Sequence, residues 1–183
     1  MRPLFAAAVA GLALTPQPPT TGLLSQEPVI AGVRAFYGPS IGIESVDARL
    51  IAQAQSSIDM AAYVLTDRAV VSALGRAAMR GVHVRVYLDG EQMAHSESAV
   101  SAISATPNVE LRQKRRSRDL MHLKSYVVDR RVLRSGSANF SVSAEDYQDN
   151  DLIVIESPDL AKNFEENFER LWSRAGNQRI GAR

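Results

Sequence analysis

With 183 residues, 45% of them hydrophobic, the chain can bury one sizeable core and is too apolar to be a disordered chain. A formal net charge of +1 supplies no global attraction to nucleic acid, so any such attraction has to come from local clusters. The absence of cysteine excludes thiolate nucleophiles, disulfides and thiolate-ligated metal sites.

Met1 and Arg2 precede an Ala/Leu/Val run over 4–14, broken by Pro16, Pro18 and Pro19. The run is too short to span a bilayer, which takes about 20 apolar residues. A positive start, a short apolar run and the small residues Ala8 and Ala10 read as a secretory signal peptide over 1–14, which predicts a periplasmic or secreted protein. Residues 15–29 form a Pro/Thr-rich linker. The folded domain is expected over 30–175, with 176–183 as a frayed tail.

Within that domain the spacing predicts a strand over 33–37, then a helix over 44–55 with Val46, Leu50, Ile51 and Ala54 on its apolar side. A buried strand follows over 57–64. Thr66 is placed as N-cap of a helix over 67–80 that Gly81 stops. Residues 82–88 alternate as a strand, with valines on one face and His83, Arg85 and Tyr87 on the other. A helix over 93–104 and a strand over 109–113 lead to the basic loop 114–119. Short strands over 123–128 and 132–135 have too brief a connection to be parallel. Residues 144–150 are a polar connection, 152–156 a buried strand, and 158–173 a helix with Leu160, Phe164, Phe168, Leu171 and Trp172 on its apolar side. Strands alternating with helices give the α/β class, with a mixed, largely parallel sheet flanked by helices on both faces.

The chemistry-bearing residues concentrate in 121–141, MHLKSYVVDRRVLRSGSANFS. On a strand, His122 and Lys124 share one face. Asp129 falls in the turn after it, and Gly136-Ser137-Ala138-Asn139 ends the next strand. An imidazole, an ammonium, a hydroxyl, an amide and free loop N–H groups can thus converge on one anion. Lys114, Arg115, Arg116 and Arg118 are the densest basic cluster, and their place just before His122 points them at a substrate backbone. Arg130, Arg131 and Arg134 are expected to pair in part with Asp146, Asp149 or Asp151. Phe140, Phe164, Phe168 and Trp172 are read as core, not as base-stacking platforms.

His-x-Lys, four residues, Asp, and then Gly-Ser-x-Asn, standing here as His122, Lys124, Asp129, Gly136, Ser137 and Asn139, resembles the signature of the phospholipase D superfamily. Segments 57–90 and 149–172 resemble the opening and closing elements of its short single-motif bacterial nucleases. The resemblance implies a phospholipase D-like sandwich and metal-independent, cofactor-free phosphodiester cleavage through a phosphohistidine. One motif per chain implies a homodimer with a composite site, in which one His122 is nucleophile and its mate general acid. Lys124 and Asn139 would hold the non-bridging oxygens, with Ser137 and the Gly136 loop as further donors. Asp149, where the family usually has Glu, would fix the imidazole tautomer, and Asp151 could substitute for it. Asp129 would orient its turn through nearby backbone N–H groups without touching phosphate. The expected substrate is nucleic acid, DNA first and RNA second, cut without sequence preference. The alternatives are phospholipid head groups as substrate, and a non-catalytic nucleic-acid-binding dimer.

Overall fold

A computed structural model describes residues 32–39 and 42–181. The expected signal peptide and linker lie outside the described residues. In chain order the elements are β1 (Val33–Tyr37), α1 (Ile43–Ala52), β2 (Ser57–Ala62), α2 (Arg68–Met79), β3 (His83–Leu88), α3 (Met93–Ile103), β4 (Val109–Gln113), β5 (Lys124–Val128), β6 (Val132–Gly136), α4 (Val142–Asp146), β7 (Asp151–Glu156), α5 (Pro158–Trp172) and β8 (Gln178–Ile180).

The strands make one sheet in the order β1-β7-β6-β5-β2-β3-β4-β8. The sheet is mixed, as expected, but its balance of directions is not: among the described strands only β2–β3 and β3–β4 are parallel. The reason lies in the connections. Helical crossovers join β2 to β3 and β3 to β4, whereas the tight turn between β5 and β6 permits only antiparallel pairing, and β7 returns antiparallel on β6 after the link that carries α4. The first and last described strands then add antiparallel edges, β1 on β7 and β8 on β4.

Helices cover both faces. Val84, Val86 and Leu88 of β3, Met60 of β2 and Tyr126 of β5 pack with Ile51 of α1 and Val70 and Leu74 of α2 in the larger core. Ala61 and Tyr87 face the other way, onto Phe168, Leu171 and Trp172 of α5. Arg85 shares that covered face. Its guanidinium grips Asp59 with two bonds of 2.7 Å, reaches Glu169 at 2.7 Å and lies 5.0 Å from the centre of the Phe168 ring.

Local chemistry explains the departures from expectation. α2 is capped by Asp67, not Thr66: Asp67 Oδ1 accepts from the N–H of Ala69 and Val70, while the Thr66 N–H is committed to Phe140 O. The polar connection after the motif contains α4, whose first turn is held by Ser141 Oγ accepting from Ala144 N. Residues expected as a frayed tail form β8, which covers β4 at what would otherwise be an open edge. Asn177 anchors that segment, donating to Leu171 O and Trp172 O and accepting from Tyr87 Oη.

Gly90, just past β3, is a second point of constraint. A Cβ there would overlap Lys114 O and crowd Arg116 N. Gly90→Ala is predicted to destabilise the fold by about 1–3 kcal/mol, read as a lower urea midpoint at unchanged slope.

Candidate active site

The site lies at the carboxyl ends of β2 and β3 and the start of β5. Two backbone bonds seat the entry to β5: Tyr63 N–H donates to Leu123 O at 2.8 Å, and Met121 N–H to Asp89 Oδ2 at 2.7 Å. Asp89 is buried, and its other oxygen accepts from the N–H groups of Glu91 and Gln92. Main chain on either side of His122 is therefore fixed, while the His122 side chain is exposed.

His122 and Lys124 come together as their spacing predicts. Lys124 Nζ donates to His122 O at 2.9 Å and lies 3.2 Å and 3.1 Å from Nδ1 and Nε2. Near-equal distances to both nitrogens put the ammonium over the ring and in line with neither lone pair. Tyr63 completes the group, its ring 4.4 Å from the imidazole and 4.8 Å from Nζ. Lys124 is only 6% exposed. Burial, and then the positive charge of Arg134, hold its pKa below the ordinary lysine value.

The Gly136–Asn139 loop is organised by Asp151. Ser137 N–H donates to Asp151 O and Oδ1, Ala138 N–H donates to Asp151 O, and Ser137 Oγ accepts from Asp151 N–H. The expectation of free loop N–H groups is therefore corrected at Ser137 and Ala138, whose donors are spent within the chain. Gly136 has φ +148° and no room for a Cβ, which would overlap Asp151 O. Asn139 Oδ1 is buried with no hydrogen-bond partner among the described residues, and as an acceptor it calls for a donor.

Other expected residues are placed differently. Asp149 is exposed and makes no hydrogen bond or ion pair with His122, and Asp151 serves the loop. Asp129 lies at the far end of β5, roughly 17 Å of strand from Lys124. Its carboxylate takes the N–H groups of Gln55, Ser56 and Ser57 and the Ser56 hydroxyl, so it pins sequence-distant backbone before β2 and not its own turn. The turn itself needs positive φ at Asp129 and Arg130, 51° and 54°, the geometry of a tight hairpin. The basic loop divides in two. Lys114 donates to Asp119 O, and Arg116 donates to Gly90 O and faces Glu91. Arg115 and Arg118 are exposed and form no hydrogen bond or ion pair among the described residues.

Arg134 does not pair with Asp149 or Asp151, and the Asp146 side chain lies outside what the structure describes. Arg134 is fully buried against Asp47, as is Asp47 against it, and Arg130 instead approaches Glu165 at 3.8 Å. Sequence reasoning missed Tyr63, Asp89, Asp47 and Arg134. A signal for the last two existed: Asp47 sits between Ile43 and Ile51 in a helical apolar stripe, and Arg134 shares the strand face of Val132.

The sequence matches the family described as cardiolipin synthase, PLD-like domain, over residues 48–172. The chain belongs to the phospholipase D superfamily. It is 30% identical to a phospholipase D of Rickettsia felis over 74% of this chain and 67% of that one. It is 29% identical to a mitochondrial cardiolipin hydrolase of Xenopus laevis over 80% of this chain and 70% of that one. Its fold superposes on Nuc of Salmonella typhimurium, a phospholipase D family member, with a TM-score of 0.76 at 28% identity, covering 82% of this chain and 98% of that one. The chain is accordingly a phospholipase D-like phosphodiesterase.

The Asp129 hydrogen bonds make a pH prediction. Burial pushes its pKa up, but the N–H groups of Ser57, Ser56 and Gln55 and the Ser56 hydroxyl outweigh that and leave it below its ordinary 3.8. A carboxylate held below its unfolded value stabilises the fold above about pH 4 and loses that contribution as pH falls through the folded pKa. Asp129→Asn should lower the urea midpoint at neutral pH, by about 1–2 kcal/mol in free energy. The gap to wild type should close as pH falls below the ordinary carboxylate range, through the lowered pKa of Asp129. A gap that stays constant with pH would refute this.

Proposed function

We propose that the chain is a metal-independent, non-specific endonuclease that cleaves DNA, and RNA as well, through a phosphohistidine on His122 at a homodimer interface. The observation that carries this reading is the exposed imidazole of His122 stacked over the buried ammonium of Lys124. A neutral His122 nitrogen attacks phosphorus, a P–N bond forms, and the P–O bond to the leaving group breaks. The departing oxygen takes its proton from His122 of a second copy. That second imidazole, now neutral, deprotonates a water that attacks phosphorus and releases His122.

Lys124 and Asn139 hold the non-bridging oxygens. Ser137 and Asp151 keep the loop in shape, and Asp149 is left to orient an imidazole across the dimer. The support for Lys124 is that its buried ammonium meets no carboxylate among the described residues; Asn139 is assigned by its place in the Gly-Ser-x-Asn motif. The support for nucleic acid is the pair of exposed arginines, Arg115 and Arg118, in the loop that leads to His122, with no hydrogen bond or ion pair among the described residues. Phosphates held this way bind without sequence preference and with steep salt dependence.

Phospholipid hydrolysis is the second reading, and a specific observation favours it. Leu120, Val142 and Tyr147, which flank His122, Asn139 and Asp149 in the chain, are 49%, 45% and 77% exposed. A membrane would cover such side chains, and so would the second copy of a dimer. Export through residues 1–14, to the periplasm or beyond, completes the proposal. Its check is N-terminal sequencing of the exported protein, with retention of Met1 the adverse result.

Plasmid DNA, RNA and anionic vesicles should be offered in excess chelator. Cleavage of the nucleic acids, abolished by His122→Asn, is expected, together with a dimer in sedimentation. Head-group release without nuclease activity would replace the first reading by the second. Arg115→Ala with Arg118→Ala should flatten the slope of log affinity against log salt by about 1 for every phosphate that is no longer neutralised, with cleavage of a small diester unaffected.

A further inference from the structure

We propose that Arg134 is a positioning residue for phosphodiester cleavage, clamping the main chain of Lys124 to the main chain preceding Asn139 so that the ammonium and the amide meet the same phosphate. The inference rests on the roles assigned above to Lys124 and Asn139.

The geometry goes beyond a buried ion pair. Arg134 Nε and Nη2 donate to Asp47 Oδ1 and Oδ2 at 2.9 Å and 2.6 Å, which already matches charge with charge. The third nitrogen, Nη1, is not needed for that pair. It donates to Lys124 O at 2.7 Å and to Ala138 O at 3.2 Å. These carbonyls belong to two different segments, the start of β5 and the loop after β6, and each lies at or beside a residue of the site. One nitrogen bonded to both fixes their separation. The plane of the guanidinium is held in turn, 4.5 Å from the centre of the Phe140 ring, and Asp47 is held by Tyr126 Oη at 2.8 Å.

Lysine could not do the same. Its three donors radiate from one atom, whereas the planar fork serves a carboxylate on one edge and the two carbonyls on another. The charge of Arg134 also reaches the site, since it adds to burial in lowering the pKa of Lys124.

Two variants separate positioning from plain structural support. Arg134→Lys keeps the charge and a bond to Asp47 but cannot hold both carbonyls. The double variant Asp47→Leu with Arg134→Met replaces the pair by apolar groups, an exchange that buried ion pairs often tolerate without loss of stability. The assay uses bis(p-nitrophenyl) phosphate, so that binding of long substrates plays no part. Both variants should fold and lose about 10–100-fold in kcat, with KM nearly unchanged. In the double variant the alkaline limb of the kcat profile should also move to higher pH, because a charge that lowers the Lys124 pKa is gone. In Arg134→Lys the limb should stay in place.

A folded variant with wild-type kcat overturns the proposal. So does a loss that only follows the unfolded fraction, or a failure of both variants to fold, which would make the pair a stability element. Failure of the underlying reading looks different: the wild type would be inert on the diester, or its activity would survive His122→Asn.

Discussion

Asp47 and Arg134 are both withdrawn completely from water, and the fold can hold them there only because every group they present is answered. Taking two charges into a protein interior costs several kcal/mol per ion, and attraction between them offsets this only with good geometry and further hydrogen bonds. Here the carboxylate receives Arg134 twice and Tyr126 once, and the guanidinium spends its remaining reach on two carbonyls. The partners come from α1, β5, β6 and the loop after β6. One desolvated pair thus ties the helical layer to the strands that carry the motif, and the loop cannot shift without exposing a buried charge or an unsatisfied carbonyl.

The other carboxylates of the region work in a related way, on backbone N–H groups instead of on cations. Asp89 seats Met121 and the turn before α3, Asp151 shapes the Gly136–Asn139 loop, and Asp129 pins the approach to β2. Each fixes main chain where loops from distant parts of the sequence converge. The consequence is an acid-poor site. Lys124 has no carboxylate partner among the described residues, and its ammonium rests on a carbonyl, an imidazole and the face of Tyr63. A buried cation with no carboxylate partner among the described residues favours an anionic ligand, and the same burial that lowers the Lys124 pKa strengthens its pull on a phosphate.

Much was legible in the residues. Local patterning marked nearly every strand and helix, because apolar alternation and helical stripes reflect which face meets the core. The His122–Lys124 spacing placed both side chains together, since a strand repeats every second residue. Gly136 could be singled out as part of a motif, although the reason for it, the close approach of Asp151 O, comes from a different strand. Direction in the sheet was judged from alternating elements, yet of the seven pairings among the described strands only two are parallel, because helical crossovers join only β2 to β3 and β3 to β4.

By itself the sequence determined the class of fold, the superfamily and the His122, Lys124, Ser137 and Asn139 constellation, all of which rest on short-range spacing. Tertiary structure alone decided the partners of the charges. Asp129 reaches back to residues 55–57, Arg134 to Asp47, and Asp89 forward to Met121. Which carboxylate meets which donor depends on where the sheet order brings remote segments together. No local pattern encodes that, because strands neighbouring in space, such as β5 and β2, are far apart along the chain.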